Sequence, residues 1–442
     1  MMVLAGLLSG VLAVLAVVFL LPTISDLLSI VLRARPNDVP PAGPPAETPR
    51  FLILIPAHDE EILIDACLAS LQQLQYPADS AETLVVADNC TDATAARVRA
   101  RGVRCLERTN LEQRGKPWAV AWALERVTLT DYEAVIVLDA DSIVDPGFLR
   151  ALARRSPLGS KVVQGYIDVS NPGESAVTRM ARVWSAVRFQ VVNAIKVHAG
   201  LNVPLGDGLC IGTGVLGQFG WSAFSLSETW EIYASMTAAG VRCVGAEDAH
   251  LGAQEARSLS QSASQRKRWT AGRLAVLRTY GPAILRSRRI SARQKLDCLA
   301  EMLALGPAAH LGTAVLLAAV AGFGGLPWGV PIAMALLASL VRPIAYTTIA
   351  LARDPEPTRA VAAFAFLPFY VCWRLGIQLA SLSRLGNKPW VRTDRHEPAA
   401  QAVAQTVAQT ATQTAAQTAA QTAAQAEAPV GENSGSGSSR RE

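Results

Sequence analysis

Ala134 to Asp141 reads AVIVLDAD: five apolar residues, then two carboxylates separated by one alanine. A short apolar run that ends abruptly in acids is the pattern of a buried strand whose carboxyl end opens onto a site. Two similar runs precede it. Phe51 to Pro56 (FLILIP) is followed by Ala57, His58, Asp59 and Glu60, and Thr83 to Asp88 (TLVVAD) by NCTDAT. Helical periodicity over Glu60–Leu74, Thr91–Arg101 and Lys116–Val127, with a short strand over Val103–Leu106, makes the pattern an alternating βα series. The expectation is an α/β domain whose parallel sheet is covered on both faces, with polar residues just after each strand as the ones to watch.

Outward from this domain the composition changes. Half of the 442 residues are hydrophobic and 17% are charged, below the roughly 25% usual for soluble domains. Val3–Leu21 is nineteen residues without a charge, enough to cross a hydrocarbon core of about 30 Å. It lacks the cationic start and clean cleavage site of a signal peptide, so residues 1–35 read as a retained span. Arg33 and Arg35 then put the following domain in the cytoplasm. Residues 36–49 carry six prolines and read as an extended linker. Residues 50–265 form the α/β domain. Residues 266–298 form a basic segment with ten Lys/Arg and no acid before Asp297. Nucleic acid is one partner for such a segment, but the apolar region directly after it favours a membrane surface.

Residues 299–384 hold three apolar stretches, about Leu299–Gly322, Trp328–Ala352 and Val361–Leu382, interrupted by Arg342 and Arg374. Four spans in total return the C-terminus to the side of the N-terminus, whereas Arg384, Lys388, Arg392 and Arg395 favour the cytoplasm; the two signals oppose each other. Residues 385–400 are juxtamembrane, and residues 401–442 are a low-complexity tail that cannot bury a core. Ala176–His198 reads as an amphipathic helix. Its apolar face suits the sheet or a membrane interface, with Arg179, Arg182, Arg188 and Lys196 elsewhere on it. Seven scattered cysteines without CxxC spacing indicate neither a zinc site nor a disulfide framework.

Asp139 and Asp141 are of the type that holds Mg2+ or Mn2+ together with a diphosphate, although D-x-D is common in solvated loops. Asp88 can accept from a nucleoside or, like Asp92, make an Asx turn or N-cap. Arg114-Gly115-Lys116 opens a helix and suits a phosphate, and Gln265-Arg266-Lys267-Arg268-Trp269 offers a guanidinium for a diphosphate beside an aromatic wall. His58 lies in the first strand-end loop; His250 and His310 read as structural.

The order of these elements, with a G-T-G loop between D-x-D and Q-x-x-R-W, resembles the membrane-integrated family 2 glycosyltransferases. These include the cellulose, chitin and hyaluronan synthases and the bacterial ceramide-glucosyltransferase-like enzymes. The resemblance covers about Phe51–Arg395. It implies a GT-A (Rossmann-like) domain inserted between transmembrane helices of a multi-pass protein of the cell inner (plasma) membrane. It further implies inverting transfer of a hexose or N-acetylhexosamine from a UDP-sugar to a lipid or glycan acceptor, and polysaccharide-export partners. Ala57, Asp59, Glu60 and Asp88 would line the uridine pocket, and Lys116 would sit near the donor phosphates. Asp139 and Asp141 would hold the metal. Gly212, Thr213 and Gly214 would form an acceptor-side loop, and Gln265, Arg268 and Trp269 would close the site. Trp390, Arg392 and Thr393 would belong to a W-x-R-T-x-R segment.

Two departures stand out. Ala87 replaces a second acid common in the family. The general base, the Asp of an S/T-E-D triplet, is matched by Thr229 in Ser227-Glu228-Thr229, thirty-six residues before Gln265. A threonine hydroxyl is too weak a base. Glu228, Asp207 and Asp248 are the carboxylates that could replace it; Glu247-Asp248 mimics the pair but lies only seventeen residues before Gln265. A nucleotide-sugar-binding pseudoenzyme in an envelope polysaccharide complex is the alternative function. A pure transporter is disfavoured by the ordered strand-end acids.

Overall fold

A computed structural model describes residues 2–31, 48–225 and 227–382. Most of the linker, the segment at 385–400 with Trp390, Arg392 and Thr393, and the tail lie outside the described residues. The strands are β1 (Phe51–Ala57), β2 (Ala81–Asp88), β3 (Arg104–Arg108), β4 (Ala134–Val137), β5 (Ile143–Val144), β6 (Lys161–Val169), β7 (Leu209–Gly212) and β8 (Arg242–Ala253). The helices of the α/β domain are α1 (Met2–Val31, preceding it), α2 (Ile64–Leu71), α3 (Thr94–Ala100), α4 (Lys116–Leu124), α5 (Phe148–Ala153), α6 (Ala176–Ala186), α7 (Asn193–His198), α8 (Thr213–Phe219) and α9 (Glu228–Ala238). A π-helical turn, Val187–Val192, joins α6 to α7. Then come α10 (Leu259–Arg286), α11 (Ala292–Leu303), α12 (Pro307–Phe323), α13 (Gly329–Ala338), α14 (Val341–Arg353), α15 (Pro357–Ala363) and α16 (Leu367–Leu382).

The eight strands form one sheet in the order β3-β2-β1-β4-β7-β6-β8-β5. β1–β4 are mutually parallel, as the apolar runs predict. The expectation of an all-parallel sheet fails beyond β4. β7 runs antiparallel to both β4 and β6, and the short β5 antiparallel to β8, so the sheet is mixed. Both faces are covered. Leu52, Leu54, Val135 and Val137 point into one core, whereas Phe51, Ile53, Ile55 and Ile136 point into the other. Burial on both faces explains why these strands read as unbroken apolar runs rather than as alternating ones.

The register sets the functional edge. Ala57 pairs with Ala87 and Leu54 with Val137, so the loops after β1, β2 and β4 emerge together. Because β7 is antiparallel, with Val137 opposite Leu209, the residues just before β7 arrive at that same edge.

Among the described residues, three helical segments are long and apolar enough to cross a membrane: Met2–Val31, Gly329–Arg353 and Pro357–Ser381. Over the expected span at Leu299–Gly322, α11 and α12 together are long and apolar enough as well, but they are bent by 84° at the break between them. α11 ends at Leu303 with Ala304 as its cap, and Gly306 as N-cap with Pro307 at the first helical position starts α12. α1 is polar inside and apolar outside. Ser9, Ser25, Asp26 and Ser29 are buried with Leu12, Ala16 and Phe19, whereas Val3, Leu4, Leu7, Val11, Val14 and Val17 are exposed.

Two buried charge clusters fasten this helix. Asp26 accepts from Arg342 Nε at 2.6 Å and Tyr346 Oη at 3.0 Å. Ser25 donates to Asp297 at 2.9 Å, and the same carboxylate holds Lys196 at 2.6 Å, with Glu301 at 3.4 Å. Lys196 and Arg179 are therefore interior residues, not members of a solvated helix face, because helices of the apolar region cover that side of α6 and α7. The Lys196 and Asp297 side chains are 2% and 1% exposed. Removing one partner from such a pair typically costs about 3 kcal/mol or more. Asp297→Ala is expected to lower the thermal midpoint of the detergent-solubilised chain by several degrees; an unchanged midpoint would show that the pair contributes nothing.

Candidate active site

The cluster forms around Lys116, the first residue of α4. Gly115 before it has φ +102°, a conformation that suits glycine and turns the chain sharply into the helix. Lys116 Nζ lies 2.6 Å from Asp139 Oδ1 and 3.4 Å from Glu228 Oε1. Asp139 follows β4 and Glu228 opens α9, so three separate elements meet at one ammonium. A fourth contributes Asp207: its Oδ1 accepts from the Asp139 backbone N–H at 2.7 Å, and its other oxygen accepts from Ser142 Oγ. Gln164 locks the Asp207 loop, donating to the Asp207 carbonyl at 2.8 Å and accepting from Gly206 N–H at 2.6 Å.

The electrostatics follow from this crowding. Burial works against a charged Lys116, but Asp139, Glu228 and Asp207 more than offset it and hold the ammonium protonated well above the usual lysine range. Burial, then the Asp139 charge, pushes the Asp207 carboxyl up to about 7, with Lys116 opposing. Cys67 lies beneath. Burial and the charges of Asp207, Asp141 and Asp139 push its thiol well up, which places Asp141 in the same neighbourhood.

The loops after β1 and β2 interlock beside this cluster. Asp59 accepts from Thr91 N–H at 2.7 Å, Asp92 from Thr94 N–H at 2.9 Å and Glu61 N–H at 3.1 Å, and Thr94 Oγ1 from Glu60 N–H at 2.8 Å. Asp59, Cys90 and Asp92 bring ligand-type atoms within 4.8 Å of one another. These carboxylates are already used by backbone N–H groups, and burial raises the Cys90 thiol to about 11, so the trio works as a loop clasp. Ala57 ends β1 at this edge. His58 Nδ1 lies 2.8 Å from the Asp88 carbonyl. Asp88 itself is held by Arg108 at 2.5 Å, both side chains 4% exposed, so its Oδ1 is spent inside the domain.

Q-x-x-R-W lies on α10, a helix that runs continuously through positions 265 and 266. A Cβ added at Gly272 would lie 2.0 Å from Ser227 Oγ, so α10 touches the start of α9 there. Gln265, Arg268 and Gly272 follow i, i+3, i+7 spacing and share one stripe of the helix. Gln265 and Arg268 thus lie on the side of α10 that touches the start of α9 at Gly272. Trp269 is partly exposed, with the Arg266 guanidinium 4.8 Å from its ring centre.

A family model described as "Glycosyltransferase like family 2" matches residues 49–272, just over half of the chain. The chain belongs to this family. Among curated proteins, the chain is 46% identical to the "Probable glycosyltransferase YdaM" of Bacillus subtilis (strain 168) over 48 residues, a match spanning 11% of each chain. Among solved structures, the mannosyltransferase PcManGT from Pyrobaculum calidifontis, in complex with GDP-Man and Mn2+, aligns with a TM-score of 0.52 and 20% identity over 85% of this chain and 98% of that one. The family 2 domain is thus a mixed α/β sheet with GT-A-like glycosyltransferase neighbours.

Two expected placements differ. Gly212, Thr213 and Gly214 do not reach the cluster. Gly212 pairs with Ala134, at the opposite end of β4 from Asp139, and a Cβ there would lie 2.1 Å from the Leu158 carbonyl. These glycines serve close packing, and the antiparallel direction of β7 brings Asp207 to the site instead. Asp248 is also elsewhere. It sits where the β6–β8 register shifts, gripped by Arg154 at 2.5 Å and Arg155 at 2.6 Å. Burial alone would raise its carboxyl; Arg155 and Arg154 outweigh it and hold the carboxyl below the usual range.

A lowered carboxyl adds stability above the unfolded-state pKa of about 4 and loses it as pH falls through the folded value. Asp248→Asn is expected to lower the thermal midpoint at pH 7, with the gap to the parent narrowing near pH 3, and to leave donor affinity intact. A constant gap or a lost donor site would return Asp248 to the active centre.

Proposed function

We propose that the chain transfers a hexose or N-acetylhexosamine from a UDP-sugar, with inversion, to a lipid or polysaccharide acceptor at the cytoplasmic face of the membrane. The observation that carries this reading is Lys116 bridging Asp139 and Glu228 at the sheet edge where the Q-x-x-R-W helix also arrives.

The residues fit a divalent cation. Asp139 and Asp141 offer hard oxygens one residue apart, the Asp139 side chain is 42% exposed, and a cationic group already lies 2.6 Å from it. Mg2+ or Mn2+ held there would neutralise charge developing on the departing diphosphate. Lys116 adds a fixed positive charge to the same oxygens, and Arg268 a second from α10. Asp59, Glu60 and Ala57 shape the nucleoside side through the clasped loops. Asp207 orients Asp139 through the backbone N–H it accepts from. Glu228, inward-facing and 17% exposed, is the carboxylate in place to meet an acceptor hydroxyl.

Membrane residence is supported by the inside-out character of α1 and by the exposed Leu, Val, Ile and Phe side chains of α12–α16. The burial of Ser25 and Asp26 against residues 196–346 supports a first helix that stays with the protein. Thr229 in the usual base position favours a second reading, a donor-binding protein without turnover in a polysaccharide-export assembly.

The experiment is UDP release by membranes containing the chain, across a panel of UDP-sugars, with Mn2+, Mg2+ or a chelator. Metal-dependent release is expected with one or two donors, and Asp139→Asn is expected to lower kcat by about 10²-fold or more. Metal-dependent UDP affinity without release would establish the second reading. No UDP affinity at all would remove both.

A further inference from the structure

Lys116 Nζ reaches Asp139 Oδ1 at 2.6 Å and Glu228 Oε1 at 3.4 Å. One ammonium thus restrains both the carboxylate that fits a metal and the carboxylate in place to meet an acceptor. Among the described residues these are the only ion pairs of Lys116. Its side chain is 23% exposed and ends in a point charge on a flexible four-carbon stem.

The other acids of the site are held differently. Asp207 accepts from the Asp139 backbone N–H and from Ser142, and Gln164 locks its loop. Asp88 is committed to Arg108, and Asp248 to Arg154 and Arg155. Guanidiniums and backbone donors fix a carboxylate in one geometry, whereas an ammonium can swing from one anion to another. The two pairs made by Lys116 are therefore the exchangeable contacts of the site.

That exchange bears on a divalent ion at Asp139. Such an ion sits about 2.1 Å from a carboxylate oxygen. If it shared Asp139 Oδ1 with the ammonium, the two cations would lie within about 5 Å of each other. At that distance like charges oppose each other, and the repulsion grows as water is excluded. A nucleoside diphosphate reverses the balance, because its oxygens carry negative charge that an ammonium can follow. We propose that Lys116 is a competing counter-cation: it holds Asp139 and Glu228 until a nucleoside diphosphate draws it away, so that Mn2+ or Mg2+ binds tightly only together with the nucleotide. The same movement releases Glu228. The inference rests on the donor-site reading above and adds to it how the charges of the site exchange.

The test titrates Mn2+ into the full chain in detergent, with bound Mn2+ read by electron paramagnetic resonance. Titrations run without and with saturating UDP, and Mn2+ held by UDP in buffer is subtracted. The parent is expected to hold Mn2+ at least tenfold more tightly with UDP, and by linkage UDP at least tenfold more tightly with Mn2+. Lys116→Met should move the two ligands in opposite directions. Mn2+ alone should bind at least fivefold more tightly than to the parent, and UDP at least tenfold more weakly. Lys116→Arg keeps the charge and should leave the affinity for Mn2+ alone as weak as in the parent. If Lys116 only shapes the site, Lys116→Met weakens both ligands or leaves Mn2+ unchanged, and either result overturns the inference. Mn2+ should also raise the thermal midpoint of Lys116→Met more than that of the parent; an equal or smaller rise overturns the inference. Asp139→Asn added to Lys116→Met should abolish the gain in Mn2+ affinity, and a gain that persists places the ion elsewhere and overturns it. The parent measurement decides even where a variant fails to fold: equal Mn2+ affinity with and without UDP overturns the inference alone. A parent that binds no UDP with or without Mn2+ overturns the donor-site reading beneath it.

Discussion

Carboxylates from different parts of the chain do not gather without a cation among them. Two unit charges 4 Å apart near a protein surface repel by about 4 kcal/mol. Asp139, Asp207 and Glu228 come from three places in the fold, and Lys116 is the charge that makes their convergence tolerable. The rest of the domain can be understood as delivering these four side chains. Parallel β1 and β4 deliver the Asp139 loop to the sheet edge, antiparallel β7 turns Asp207 back to it, and α9 begins over it. Gly115 permits the positive-φ turn into α4, and Gly272 permits the close approach of α9 and α10.

The same electrostatic logic recurs where the domain meets the apolar helices. Lys196 bridges Asp297 and Glu301 as Lys116 bridges Asp139 and Glu228. Such pairs are weak evidence for stability, because desolvation offsets the attraction, but they fix which helix sits against which. α1 touches α14 through Asp26 and α11 through Ser25, so the register of the bundle is set by polar contacts while leucines and valines face outward. Arg188, Arg273 and Arg374 each keep one buried donor without a hydrogen-bond partner among the described residues, and Glu301 is an acid whose charge acts on both Arg188 and Arg273.

The sequence revealed the strands whose two faces are both buried, because their apolar runs stop at acids: β1, β2, β4 and the loops after them read directly. It also singled out Lys116 and Asp139, which the structure brings together at 2.6 Å. It did not reveal β7's direction, which depends on how a later strand inserts between β4 and β6 and not on any local pattern; the misplaced Gly212–Gly214 followed from that. Asp207 reads in the sequence only as a carboxylate that could stand in for the general base, not as the residue that holds the Asp139 backbone. Asp88 and Asp248 carry the right residue type, but their arginine partners, Arg108 and Arg154 with Arg155, are distant in sequence. Periodicity places Arg179 and Lys196 off the apolar face of the helix, and it does not report the second set of helices that covers and buries them. The break between α11 and α12 was signalled by Gly306-Pro307 but masked by the hydropathy on either side.

The contact between Asp26 and Arg342 joins residues 316 positions apart. At ribosomal rates of roughly 5–20 residues per second, the interval between their synthesis is on the order of tens of seconds. On the membrane residence proposed above, the apolar side of α1 meets lipid during that time while Asp26 still lacks its counter-charge, so that end of the helix would stay near water or an insertion factor until α14 is made. The assembled bundle is closed by a pairing between nearly the first and nearly the last of its helices to be translated.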